Sequence, residues 1–175
     1  PPGTPGMSEE ADRAAVRDTY DRIADHFAET RANHWPEVET FVGNCDPGEV
    51  GLDVGCANGR HTELLVDLVD HVIGVDASRA LLDSAAERPG LAGRADVSLL
   101  QCDAAALGIG SATVDVGVYV ATLHHLPTRR LRVASLDELA RVLRSDGRAL
   151  VSAWSTAHER FDAAEGFDTT IDWTL

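Results

Sequence analysis

Short apolar runs that alternate with stretches of helical spacing constrain this chain more than any other feature of its sequence. Val50 to Val54, Val72 to Val75, Val97 to Leu100, Val114 to Val120 and Ala149 to Val151 are rich in β-branched residues, and most end at a polar residue or a glycine. Strands apolar along their whole length have no face to offer water, so they belong in a parallel sheet covered on both sides. Helical stretches stand between them: Arg60 to Val69, Arg79 to Glu87, and Arg129 to Leu143, where Leu136, Leu139, Ala140 and Leu143 follow the i, i+3, i+4, i+7 stripe. Gly147 is placed to stop the last of these helices. The pattern predicts an α/β fold with a doubly wound, mostly parallel sheet.

Ahead of the first strand, Val16, Tyr20, Ile23, Ala24 and Phe27 mark an amphipathic helix from Ser8 to about Thr30. A shorter helix is predicted over Pro36 to Val42, with Pro36 in the first turn. The opening Pro1 to Gly6 has no apolar period and reads as a tag or disordered linker. The 175 residues suffice for one domain with its own core. No apolar run approaches the roughly 18 residues of a membrane span, and no signal peptide is visible, so a cytoplasmic protein without a membrane partner is expected. Cys45, Cys56 and Cys102 lack metal or disulfide spacing and read as small buried residues, with no metal site implied.

The glycines between the first strand and the next helix carry the chemistry. Asp53-Val54-Gly55-Cys56-Ala57-Asn58-Gly59 forms a strand and tight turn leading into a helix, a unit that aims backbone N–H groups at a ligand. A dinucleotide fingerprint would read G-x-G-x-x-G, whereas glycines here stand at 55 and 59 just after Asp53. An acid so close to the turn repels a diphosphate and suits a ligand with a cationic amino group. Asp76 ends the second strand, where a carboxylate can accept from both ribose hydroxyls of an adenosine. Asp103 follows the third strand, in position to accept from an adenine amino group.

Gly51 to Gly59 resembles the first motif of class I S-adenosylmethionine-dependent methyltransferases, and Asp76 and Asp103 match that family's ribose and adenine positions. Ala57 departs from the family, which usually has glycine there, and a slightly altered turn is expected. The resemblance implies a cofactor shell of Tyr20, Arg31, Trp35, Asp53, Gly55, Cys56, Ala57, Asn58, Gly59, Asp76, Ala77, Ser78, Cys102, Asp103, Ala104, Val120 and Ala121. S-adenosylmethionine would be the cofactor and S-adenosylhomocysteine the product. It divides the chain into a tag or disordered segment over 1–7, a helical cap over 8–45, a cofactor-binding core over 46–155 and a tail over 156–175.

The end of the fourth strand, Tyr119 to Leu126, lacks the Asn/Asp-Pro-Pro-Tyr/Phe motif that holds an amide or exocyclic amine, which disfavours N-methylation. Tyr20 to Arg31 followed by His34-Trp35-Pro36 is similar to the N-terminal signature of the tRNA methyltransferases that esterify 5-carboxymethyluridine at the wobble position. His124-His125-Leu126-Pro127-Thr128-Arg129-Arg130 and Val151-Ser152-Ala153-Trp154 are similar to that family's fourth and fifth motifs. The resemblance implies Arg31, His124 and Arg129 as catalytic residues, two arginine forks orienting the acceptor and a histidine donating a hydrogen bond. His125 and Trp154 would meet the substrate, and Trp35 or Trp154 could stack on the uracil. It also implies a small activator subunit in a heterodimer, docked by adding a strand to a sheet edge.

Charge bears on the tRNA substrate. The chain carries 29 acidic residues against 15 basic ones, a net −14, and all 15 are arginine. A polyanion is a poor ligand for nucleic acid. The absence of lysine with surplus acid resembles proteins of salt-loving archaea, however, and in molar salt the Debye length is roughly 3 Å, so RNA contact would fall to local arginines or to a partner. The resembled fold normally has seven strands, so a chain stopping at Leu175 after five is expected to be truncated or to have an edge covered by its partner. A methyltransferase for a small metabolite and a cofactor-binding module without turnover stay open as alternatives.

Overall fold

The computed structural model describes residues 5–31 and 33–153. Strands β1 (Gly48–Val54), β2 (Val69–Asp76), β3 (Val97–Gln101), β4 (Val114–Val120) and β5 (Leu143–Ser152) form one sheet in the order β3-β2-β1-β4-β5, and every neighbouring pair is parallel. The strand order reverses between β1 and β4, which opens a crevice beyond their carboxyl ends.

Helices α1 (Pro5–Thr30), α2 (Pro36–Gly43), α3 (Thr62–Leu65), α4 (Arg79–Glu87) and α5 (Arg129–Val142) surround the sheet. The two-residue period of β4 divides the core: Val116, Val118 and Val120 pack with Val38 and Val42 of α2 and Leu65 of α3, while Tyr119 meets Leu139 and Val142 of α5 on the other face. Each such fully buried aliphatic side chain contributes about 1.5–3 kcal/mol. No helix among the described residues is long and apolar enough to cross a membrane.

Three boundaries differ from the sequence reading. Helix α1 already includes Pro5, Gly6 and Met7, because proline at a helix start lacks only an N–H that would have no intrahelical partner. The helix predicted over Arg60 to Val69 shrinks to Thr62–Leu65, since the glycine turn occupies the chain through His61 and Val69 opens β2 opposite Gly48. An apolar run such as Leu64 to Val69 fits either element locally. Gly147 does not stop α5, which ends at Val142 with Leu143 already extended. It lies inside β5 where the register with β4 shifts, and a Cβ there would stand 2.9 Å from the Val114 carbonyl oxygen. Two backbones approach closely at that point, and glycine permits it.

Candidate active site

A cavity of about 590 Å³ lies at the carboxyl ends of the strands, a size typical of sites for small organic ligands. The turn after β1 forms its floor. Gly55, Ala57 and Gly59 take φ of +72°, +49° and +76°, and the N–H groups of Gly55 and Cys56 donate to the Val75 carbonyl at 2.8 and 2.9 Å. A Cβ on Gly55 would fall 2.1 Å from Thr122 Oγ1, so glycine is required there. Ala57 tolerates the left-handed conformation at a cost of about 1–2 kcal/mol. That strain is stored where Asp76 Oδ2 accepts from the Ala57 N–H at 2.9 Å.

Asp76 therefore clamps the turn from the end of β2, and its Oδ1 accepts from the Ser78 N–H at 2.8 Å. Burial pushes its pKa up, against the pull of these backbone donors. At the end of β3, Asp103 pairs with Arg13 of α1, and its Oδ1 accepts from the Ala105 N–H at 2.8 Å.

Helix α1 roofs the cavity and is tied to the strand ends at separate points. Asp21 accepts from Ser78 Oγ at 2.5 Å and from the Ala80 N–H at 3.2 Å, an anion at the start of α4. Glu9 accepts from Thr128 Oγ1 at 2.9 Å and pairs with Arg130. Tyr20 Oη lies 2.8 Å from His125 Nε2, with the two rings edge to face at 5.2 Å. Burial raises the Tyr20 phenol to about 12, helped by Asp76, and lowers His125 to about 4, helped by His124. A protonated phenol and an uncharged imidazole suit a bond in which Tyr20 donates to Nε2, leaving Nδ1 to carry the ring proton. Burial also lowers His124.

Most residues expected at the site line this one cavity: Tyr20, Arg31 and Trp35; Gly55, Cys56 and Ala57; Asp76, Ala77 and Ser78; Cys102, Asp103 and Ala104; Val120 and Ala121; His124 and His125. Asp53, Asn58 and Gly59 do not reach its wall. Asp53 is 2% exposed and accepts from Thr62 Oγ1 at 2.7 Å, and burial carries its pKa to about 7. It lies beneath the turn and off the cavity wall. Asn58 is likewise buried, and its Nδ2 donates to the Arg31 carbonyl at 3.1 Å, so it fixes the segment after α1. Arg129 is an exposed first-turn residue of α5 and lies off the cavity wall, because the start of α5 faces solvent there. Trp154 and the tail over 156–175 lie outside the described residues.

Several lining residues were not singled out in the sequence. Arg13 and Arg17 come from the first half of α1, and Arg60 and His61 follow the glycine turn. Periodicity could have offered Arg13 and Arg17, which precede Tyr20 by seven and three residues on α1. Four of the 15 arginines line the cavity, together with four histidines, against only two carboxylates, so an acidic protein has a locally basic site.

Residues 52–151 match the methyltransferase domain family. The chain belongs to that family. Its sequence relatives are narrower in kind. It is 36% identical over 162 residues to a mouse tRNA (carboxymethyluridine(34)-5-O)-methyltransferase, covering 91% of this chain and 23% of the relative. The corresponding methyltransferases of Saccharomyces cerevisiae and Schizosaccharomyces pombe are 31% and 30% identical, with 95% and 97% of this chain matched to 58% and 72% of theirs. The chain thus spans less than a quarter of the mouse relative. Among solved structures, a chain from the complex of the Haloferax volcanii Trm112 methyltransferase activator with a methyltransferase superposes with a TM-score of 0.65 at 22% identity, over 77% of this chain and 58% of that one. The Haemonchus contortus phosphoethanolamine N-methyltransferase 1, solved with S-adenosylhomocysteine, gives 0.66 at 20% identity, over 80% and 32%. Both show the shared fold.

Proposed function

We propose that this methyltransferase-family chain binds S-adenosylmethionine in the cavity and esterifies the carboxyl group of 5-carboxymethyluridine at the tRNA wobble position. The observation that carries the reading is two strand-end carboxylates, Asp76 and Asp103, and an arginine-rich wall around one cavity of cofactor size. The tRNA relatives, matched across nearly the whole chain, support the acceptor. The residues present fit the cofactor. Asp76 would take the ribose hydroxyls, Asp103 the adenine edge, and Val75, Leu81 and Ala104 offer apolar wall to the base. When bound, the cofactor would supply a sulfonium-activated methyl group for an acceptor carboxylate oxygen, with S-adenosylhomocysteine as the product.

The protein's part is placement. A carboxylate is ionised at neutral pH and needs no general base, so no residue has to accept a proton. Arg31 and the His124–His125 pair, whose rings lie 4.2 Å apart, stand at the cavity to orient the acceptor, and effective molarity does the rest. Their uncharged imidazoles donate hydrogen bonds without adding charge. The basic wall answers the objection raised by net charge: polyanionic RNA would meet arginines locally. A small activator subunit, as in the Trm112 complex, would complete a heterodimer by covering a sheet edge; β3 exposes Leu100 at one such edge.

Incubating the chain, alone and with any co-purifying small subunit, with labelled S-adenosylmethionine and tRNA carrying 5-carboxymethyluridine tests this. Base-labile label in the tRNA is the expected result. Label in a metabolite pool and none in tRNA would replace the reading with a small-molecule methyltransferase.

A further inference from the structure

We propose that Arg60 is a carboxylate-recognising residue of the cavity in addition to Arg31, an inference that rests on the cofactor reading above. Of the arginines on the wall, Arg13 pairs with Asp103 and Arg17 with Asp18. Arg60 differs from both. Among the described residues no carboxylate oxygen lies within 4 Å of its guanidinium, although the chain carries 29 acids. Its one hydrogen bond there is a long one, from Nη1 to the Asn33 carbonyl at 3.5 Å.

The group is also held in place. Its guanidinium carbon sits 5.0 Å from the centre of the Trp35 ring, a cation–π contact that restricts the plane of the fork. Trp35 in turn packs edge to face on His61 at 5.8 Å. Burial lowers the Arg60 pKa, the nearby Arg31 and Arg88 lower it further, and Asp53 opposes them. Asp53 is engaged by Thr62 beneath the turn and cannot serve as a partner. A half-buried, oriented cation among like charges is costly unless an anion joins it. The planar fork with uncommitted donors fits a carboxylate bidentately. Two ligands in the proposed reaction carry one: the amino-acid end of the cofactor and the carboxymethyl arm of the acceptor.

The test compares wild type with Arg60→Gln by calorimetry, with S-adenosylhomocysteine and with 5′-methylthioadenosine, which lacks the amino-acid end. A second arm measures binding of an anticodon stem-loop RNA carrying 5-carboxymethyluridine against the same RNA with unmodified uridine. If Arg60 holds the cofactor end, S-adenosylhomocysteine weakens about 10- to 100-fold while 5′-methylthioadenosine is unchanged. If it holds the acceptor, both cofactor ligands bind as before and the preference for the modified RNA disappears. Equal weakening of both cofactor ligands indicates a merely structural role and overturns the proposal, as does no change in either arm. A wild-type chain that binds neither cofactor ligand sinks the cofactor reading itself, and this inference with it.

Discussion

Replacing His61 by phenylalanine isolates the electrostatic cost of the wall on which Trp35 and Arg60 stand. His61 is 6% exposed, its Nε2 has no hydrogen-bond partner among the described residues, and its ring packs edge to face on Trp35. Burial, followed by Arg60, His34 and Arg88, lowers its pKa to about 3. In the unfolded chain the same imidazole titrates near 6.5. Between these values the unfolded state binds the proton and the folded state does not, so stability is fully present above about 6.5 and is lost as pH falls towards the folded pKa. Linkage from about pH 8 to about pH 5 gives a loss of about 2 kcal/mol, a figure that barely changes for any folded pKa below about 4. Asp53 works in the opposite direction, since its carboxyl is raised to about 7 and favours the folded state as pH falls. That contribution is common to both proteins and cancels in their difference. Urea melts of wild type and His61→Phe, at the same high salt and at both pH values, should therefore show the variant gaining about 2 kcal/mol relative to wild type on acidification. The aromatic contact with Trp35 can persist in the variant, so a packing change would appear equally at both pH values. A stability difference that does not move with pH would mean that His61 ionises freely in the fold, and the description of this wall would be wrong.

Three other outcomes follow from the site. Asp76→Ala should weaken S-adenosylmethionine binding about 10- to 100-fold, because a charged acceptor for two hydroxyls is lost; unchanged affinity by calorimetry removes the ribose assignment. Gly55→Ala should cost about 3 kcal/mol or more from the left-handed φ and the collision with Thr122 together. Adding Thr122→Gly should return only the collision part in melting experiments, and full recovery would refute the φ argument. The acceptor carboxylate, His125 at about 4 and Tyr20 at about 12 titrate outside the window from about pH 6 to about pH 9, whereas Asp53, raised to about 7 beneath the turn, titrates inside it. Any step in methyl transfer near neutrality should therefore disappear in Asp53→Asn, and a step that survives in a pH–rate profile of that variant would instead call for a general base.

The architecture was legible in the chain because parallel strands buried on both faces leave an unmistakable apolar run, and β4 (Val114–Val120) and α4 (Arg79–Glu87) keep the boundaries that their patterns predict. The glycine turn was legible for a related reason: positive φ and close backbone approach admit few residue types, so Gly55 and Gly59 stand out, with Asp76 at the end of the next strand. Local pattern failed where two elements share one composition, as in the apolar stretch that becomes α3 and then β2, and where a glycine answers a neighbouring backbone, as Gly147 does.

Which side chains line the cavity was decided by the tertiary structure alone. Asp53 and Asp76 both end apolar strands, yet the first is turned under the loop to Thr62 and the second reaches the cavity wall. Arg129 and Arg60 are both arginines beside a recognisable motif, and only Arg60 reaches the wall. The pairs Arg13–Asp103, Tyr20–His125 and Asp21–Ser78 join residues far apart in the chain, so no periodicity could announce them. Strand and helix patterns report which face of an element is dry. Opposite charges in one cavity meet only because α1 is laid across the strand ends, and that packing is a property of the whole fold.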